Sequence, residues 1–471
     1  MRGLDPRNDN VLACNLSLNR NVVDLKRRTG MSRMVQERDG NESSDAIVVG
    51  GGLAGLTAAV FLGRAGLRVT LYERSKALGG RAQTQAHGDF RFNIGPHALY
   101  RAGEAKRIFG ELGLKLSGGA PQAAGGFAIA RGEKHALPGG FLSLLTTSLL
   151  RLPDKLELAR LMTSLAQLDP QSARGLTFRE WLDRSLRRPA VRELIQGLSR
   201  VATYTHAPEQ MCAAMTLSQM QMAFTENVDY LDGGWQTMVD ALRQAASAAG
   251  VRIVSRERIT AVEHRSTVYG VRRAGGSLHG AAIVILAVSP HEAAELVPAA
   301  RALQDFAARA IPVKAACLDV ALSRLPRPKA TFALGIDEPL YLSVHSAVAR
   351  LAPPGAALVH LAKYLEPGRP SDPEADERQL EGLMDLVQPG WREAVVERRF
   401  LPSITVSSAL VSAADGGMAG RPDVQVREVG GLFLAGDWVG ARGLLADASV
   451  ASAREAARLA LASRPDRAVA A

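Results

Sequence analysis

The stretch from Asp45 to Glu73 limits this chain more tightly than any other part of it. Ala46-Ile47-Val48-Val49 is a short apolar run of the kind that forms a buried strand. It opens into Gly50-Gly51-Gly52-Leu53-Ala54-Gly55, and an apolar helix pattern then runs from Leu56 until Gly66 closes it. Leu67 to Glu73 alternates as a second strand. All of this fits in under 30 residues, and such a β-α-β unit commits the chain to a parallel sheet with helices on its faces. The glycines have separate tasks. Gly50 permits the tight turn out of the strand, Gly52 lets backbone approach a pyrophosphate with no Cβ in the way, and Gly55 lets helix and strand pack closely. The helix N-terminus offers free N–H groups and the positive end of its dipole to phosphates. Glu73 ends the second strand, where a carboxylate accepts from ribose hydroxyls and repels a 2′-phosphate. The unit predicts a dinucleotide site, and argues against NADP.

Two distant segments narrow the ligand. Shortly after Glu73 stands Gly79-Gly80-Arg81, a glycine pair with a cation able to close over a diphosphate. Near the other end, Gly436-Asp437 follows the apolar run from Gly431 and precedes a helix beginning near Leu445. An acid at such a strand end can receive ribityl hydroxyls, and the helix N-terminus can face the polar edge of a flavin ring. Paired with the first unit, this favours a flavin dinucleotide.

Size and charge bound the rest. At 471 residues the chain has room for two or three domains at roughly 150 each. Cys14, Cys212 and Cys317 are odd in number, far apart and form no CxxC; they make neither a disulfide framework nor a cysteine-built zinc site, and they suit a reducing cytoplasm. No metal is expected. The net charge is +10, yet only nine of the 57 basic residues are lysine, and they are spread along the chain without aromatic interleaving. A nucleic-acid footprint is therefore not expected. No apolar run approaches the ~18 residues of a membrane span. Residues 1–43 are polar and aperiodic and lack the apolar core of a secretory signal; they read as a disordered or mis-assigned extension outside the fold.

Gly50 to Gly55, Glu73, Gly79-Gly80-Arg81 and Leu434-Ala435-Gly436-Asp437 together resemble the flavin amine oxidase / phytoene desaturase / protoporphyrinogen oxidase superfamily. Phe92-Asn93-Ile94-Gly95-Pro96-His97-Ala98-Leu99-Tyr100 is similar to the segment that reaches the flavin in desaturase-like members, and Tyr230–Gln236 and Ile283–Pro290 resemble further family blocks. The resemblance spans residues 45–465. It implies an α/β fold: a Rossmann-like FAD-binding domain of glutathione-reductase type, interleaved with an α+β substrate domain. The FAD-binding domain would take 44–120, 228–290 and 420–465, and the substrate domain 121–227 and 291–419. The cofactor implied is FAD. The implied contacts are Gly50, Gly51, Gly52, Leu53, Ala54, Gly55, Glu73, Arg74, Gly80, Arg81, Gly95, Pro96, His97, Ile259, Gly436, Asp437, Leu444 and Leu445. Ile259 would reach the adenine end through its backbone.

Flavin chemistry on a C–H bond needs little acid–base help, because the cofactor carries the redox step; no catalytic residue is assigned. Amine oxidases of the superfamily place an aromatic at the entry to the last helix to build a cage for the amine. Leu444 stands there, and an aliphatic wall suits an apolar small molecule better. The expected function is a dehydrogenase or desaturase passing hydrogen from a lipophilic small molecule to FAD, with a peroxide-producing amine oxidase as the alternative. Lys314 is a poor match to the water-holding lysine of some amine oxidases and reads as a solvent-facing strand residue. The proline-glycine C-terminal block of close phytoene-acting members is missing. His97, Tyr100, Arg101, His206 and Trp438 are further pocket candidates, each with a packing role as its alternative. Phe141 to Arg151 has an apolar face and a basic end; it reads as a buried helix, with peripheral contact at a membrane interface as the alternative. The oligomeric state is left open.

Overall fold

The computed structural model describes residues 42–121, 125–265 and 268–463. Almost all of the 1–43 extension lies outside these residues. At its last two positions the first strand, Glu42–Val49, has already begun. The unit that starts at Ser44 holds two seven-stranded sheets.

The first sheet is drawn from widely separated parts of the chain. Val69–Glu73 lies between Glu42–Val49 and Arg252–Ser255, parallel to both, with Ala46 opposite Val69 and Arg252 opposite Thr70. Leu278–Leu286 flanks Glu42–Val49 on the other side. It pairs antiparallel with Val268–Arg273 and parallel with Leu432–Leu434, and Ile259–Arg265 forms the edge. The helix after the glycine turn, Leu53–Arg64, buries every residue from Leu53 to Gly63 except Phe61. Helices Gln236–Ala248 and Leu445–Ala462 pack against it, and its run of alanine, glycine and leucine lets them approach closely. A Cβ on Gly55 would stand 1.8 Å from the Gly50 carbonyl oxygen, so only glycine permits this crossing of helix and turn.

The second sheet runs Val395–Ser407, Val313–Leu322, Ala357–Leu365, Leu340–Val344, Phe332–Gly335, Phe127–Ala130, Glu133–Ala136. All of its pairs are antiparallel except Phe332–Gly335 with Phe127–Ala130. Helices between Leu152 and Glu226 share a core with it, in which Leu158, Phe178, Trp181, Leu194 and Leu217 meet Ala128 and Leu334. Helix Pro373–Val387 supplies Leu380, Leu383 and Met384 to another core, beside Leu318, Val320 and Val359.

The segment expected as a buried helix is only six residues long, Phe141–Thr146, and Leu142 and Leu145 are 76% and 55% exposed. Leu142 and Leu145 face outward while Leu144 packs half-buried on the helical core, so the helix is not the buried one expected. On the next helix, Leu152 and Leu156 are also exposed.

The parallel strands set the position of the site. Val49, Glu73, Leu286 and Leu434 are the carboxyl ends of four strands of the first sheet, and the residues that follow them converge on one cleft, as ligand sites do in open α/β sheets.

Candidate cofactor cleft

The cleft encloses about 440 Å³ between the carboxyl ends of the first sheet and one face of the second. At its floor Gly50 turns with φ +107, and a Cβ there would lie 2.4 Å from the Ala287 carbonyl oxygen. Gly52 is extended and caps helix Leu53–Arg64 without any side-chain hydrogen bond. A Cβ on Gly52 would meet only the Gly79 carbonyl oxygen, 3.9 Å away; the space above it is open. The second glycine pair is pinned alongside, because Gly79 donates to the Gly51 carbonyl at 2.8 Å and Gly79 and Gly80 turn at φ +112 and +54.

Glu73 is held by backbone. Its Oε2 accepts from Gly51 N–H at 2.8 Å and its Oε1 from Ser75 N–H at 2.7 Å. Each oxygen keeps a further lone pair for a ligand hydroxyl. Glu257 N–H donates to the Glu73 carbonyl at 3.0 Å, which brings Glu257, Arg258 and Ile259 to this end of the cleft. Arg74 lines the same end and pairs with Glu292 at 3.2 Å.

Arg81 and Asp437 come together from opposite ends of the chain as a two-pronged ion pair, Nη1–Oδ2 2.7 Å and Nη2–Oδ1 2.8 Å. Asp437 is buried and also accepts from Ser408 N–H at 2.8 Å. Burial pushes its carboxyl up, but the charge and hydrogen bonds of Arg81 and the Ser408 N–H outweigh that and hold it well below the usual carboxylate range. Sequence placed both residues at the site; that each is the other's partner needed the fold.

Beyond this pair the lining comes from the second sheet: Ala315, Cys317, Ala362, Tyr364, Ile404, Thr405 and Val406. None of these carries a charge at neutral pH. Burial pushes the Cys317 thiol and the Tyr364 phenol up. Tyr204 faces Tyr364 edge-on with ring centroids 6.4 Å apart. His97 enters from the loop after Phe90–Asn93, between two carbonyls, with Nδ1 2.9 Å from Gly95 O and Nε2 3.1 Å from Arg81 O. Burial lowers it to about 4, although those two carbonyls favour its cation.

Of the expected contacts, Gly50 to Ala54, Glu73, Arg74, Gly80, Arg81, Pro96, His97, Ile259, Gly436, Asp437 and Leu445 all line the cleft. Gly55 lies behind the turn, as a packing glycine. Gly95 sits against Ile404 and Cys317, with no room for a Cβ. Leu444 packs in a separate small core with Cys212, Ala214, Met215 and Val411, so it is no wall of the cleft. Tyr100 lines the cleft and donates its hydroxyl to Ala202 O at 2.6 Å. Arg101 pairs with Asp229, Lys314 is exposed, and Trp438 stacks on Phe306 within the core. Sequence reasoning passed over Tyr204, Tyr364, Glu257 and Asp447. Asp447 offered a signal, an acid in the first turn of the last helix.

A glycine cradle at a helix N-terminus, a bound strand-end carboxylate and a second sheet roofing the cleft define a dinucleotide-dependent oxidoreductase. The sequence profile described as flavin containing amine oxidoreductase matches residues 53–461. The chain belongs to that family: it is an FAD-dependent oxidoreductase. It is 28% identical over 266 residues to hydroxyneurosporene desaturase from Rhodobacter capsulatus, 47% of this chain and 53% of that one. It is 42% identical over 71 residues to phytoene desaturase from Cercospora nicotianae, 15% of this chain and 11% of that one. The matches thus span about half and about a tenth of these relatives. A putrescine oxidase, wild type with putrescine bound, superposes with a TM-score of 0.69 at 18% identity, covering 89% of this chain and 99% of that one. That likeness is one of fold.

Proposed function

We propose that this chain oxidises an apolar small molecule held between the flavin and the second sheet. One observation carries the proposal: every residue that the second sheet gives the cleft is uncharged. An ammonium substrate would find no counterion there, whereas a hydrocarbon chain would displace water from small apolar side chains.

The residues present fit FAD. The open space above Gly52 is a cradle that a Cβ would fill, beside the uncapped N–H groups of helix Leu53–Arg64, and a diphosphate matches both. On this reading Gly50 to Ala54 and Gly79 to Arg81 hold the diphosphate, Glu73 takes ribose hydroxyls, Glu257 to Ile259 border the adenine, and Gly436-Asp437 with Leu445 face the flavin end. The first sheet then serves as a glutathione-reductase-type domain built from 44–120, 228–290 and 420–465, with 121–227 and 291–419 as the substrate domain. Bound FAD supplies the acceptor for two electrons and a proton. The chain's own part is to orient the substrate, with Tyr204 and Tyr364 as edges, and to exclude water.

Tyr204 and Tyr364 favour a second reading, an amine oxidase, because the face of an aromatic ring lining the cleft can hold an ammonium. A peroxide-coupled screen over primary and secondary amines separates the two. We expect no turnover with any amine; peroxide release with one would replace the first reading by the second.

We further propose that the exposed Leu142, Leu145, Leu152 and Leu156, rimmed by Arg151, Lys155 and Arg160, meet an anionic membrane surface from which an apolar substrate is taken. Among the described residues no helix is long and apolar enough to cross a membrane. The protein should co-sediment with vesicles containing phosphatidylglycerol and lose that binding on L142Q/L145Q/L152Q/L156Q. Equal binding by the variant would remove the patch from the account.

A further inference from the structure

Asp447 differs from Glu73 and Asp437, the other two carboxylates at the glycine turns and the last strand end, in having an oxygen to spare. Glu73 engages both oxygens with backbone N–H groups, and Asp437 engages both with Arg81. Asp447 Oδ1 accepts from Ala105 N–H at 2.8 Å and so caps helix Glu104–Glu111. Among the described residues its Oδ2 has no hydrogen-bond partner, and Asp447 is 2% exposed while lining the cleft.

The chain makes room for this acid on two sides. A Cβ on Gly103 would lie 2.3 Å from Asp447 Oδ1, and one on Gly443 would lie 2.7 Å from Asp447 Cβ. Leu445, two residues before it, adopts φ +55, a left-handed conformation that a leucine takes only under constraint. Two glycines and a strained residue thus surround a carboxyl whose second oxygen, 2.5 Å from the place of a Gly103 Cβ, has no hydrogen-bond partner among the described residues.

We propose that Asp447 stands in the cleft as the neutral acid and donates a hydrogen bond from Oδ2 to an acceptor on the polar edge of the flavin, so that its proton strengthens cofactor binding. This rests on the cleft being the FAD site. Such a carboxyl turns an unpaired buried acceptor into a donor that a ligand carbonyl satisfies.

The surrounding charges agree. Burial pushes Asp447 up to about 7; the Ala105 N–H pulls it down and Glu104 pushes it up. Tyr100 faces it from strand Leu99–Tyr100 as a phenol that burial keeps neutral. Arg421 donates from Nη1 to Gly443 O at 2.9 Å, and its charge bears on Asp437. Above about pH 7 Asp447 ionises, loses its donor and sets a negative charge beside an anionic dinucleotide. Cofactor affinity therefore weakens as pH rises.

The test is FAD titrated into the full-length chain stripped of flavin, followed by flavin fluorescence from about pH 6 to about pH 9. Affinity should fall about tenfold over that range, the equivalent of one pKa unit gained on binding. Asp447→Asn keeps an acceptor for Ala105 and always presents a donor, so its affinity should stay within about twofold throughout. A flat profile in the native chain, or a native-like decline in Asp447→Asn, overturns the inference. If Asp447→Asn fails to fold, the native profile decides by itself. Native chain that binds no FAD at any pH would instead remove the cleft as the cofactor site.

Discussion

Gly52 and Gly55 stand three residues apart in one turn, yet they answer to different demands. Gly55 has no room, its Cβ being placed 1.8 Å from Gly50 O, whereas Gly52 borders open space. Gly55→Ala should therefore cost about 3 kcal/mol or more, by forcing helix and turn apart. Gly52→Ala should change stability by less than about 1 kcal/mol and weaken FAD binding at least about tenfold. Thermal melts of the two apo-proteins and flavin titration of Gly52→Ala check this contrast. A Gly52→Ala variant that keeps its flavin would place the diphosphate elsewhere. Asp437 is stabilised by its partners rather than by its position alone. Its carboxyl is held below the ordinary range, so its contribution is present at neutral pH and fades only as pH falls below about 4. Asp437→Asn should cost about 2 kcal/mol at neutral pH, because Arg81 remains partly solvated, and the gap should narrow in acid, as denaturant melts at the two pH values would reveal.

Among the elements, those legible in the sequence are the ones whose burial leaves a clean period. The second half of Glu42–Val49, Val69–Glu73 and Leu278–Leu286 are largely apolar runs in the interior of a sheet, Leu432–Leu434 is buried beside Leu278–Leu286, and helix Leu53–Arg64 is buried along nearly all its length. Val395–Ser407 escaped notice for the opposite reason. It is an edge strand, mostly exposed, with charged residues at its start and Pro402 within it; edges tolerate both. The hairpin Thr84–His87 and Phe90–Asn93 is too short and polar to show a pattern, although it carries the loop that delivers His97. The glycine motifs pointed to one end of the cleft, since a missing Cβ is a local matter. The end lined by the second sheet could not be found that way. Tyr204 closes helix Pro189–Thr203 and Tyr364 lies on Ala357–Leu365, and neither sits in a motif. Leu444 shows the limit from the other side, since its place in the sequence suggested a wall, whereas, extended ahead of the last helix, it packs into another core.

At the scale of the molecule, the first sheet gathers strands from both ends of the described chain around the glycine cradle, and uncharged residues of the second sheet close over it. The unit that starts at Ser44 is thus organised around this cleft. Many arginines lie in exposed ion pairs such as Arg68–Asp45 and Arg458–Glu455, which contribute little to stability. The proposed apolar substrate is open to direct measurement. The full-length protein, loaded with FAD, is mixed without oxygen with a C40 polyene in detergent and, separately, with putrescine and benzylamine, and the yellow absorbance of the oxidised flavin is followed. The account predicts bleaching by the polyene or another apolar chain and none by either amine. Bleaching by an amine, with the apolar compounds inert, would contradict it.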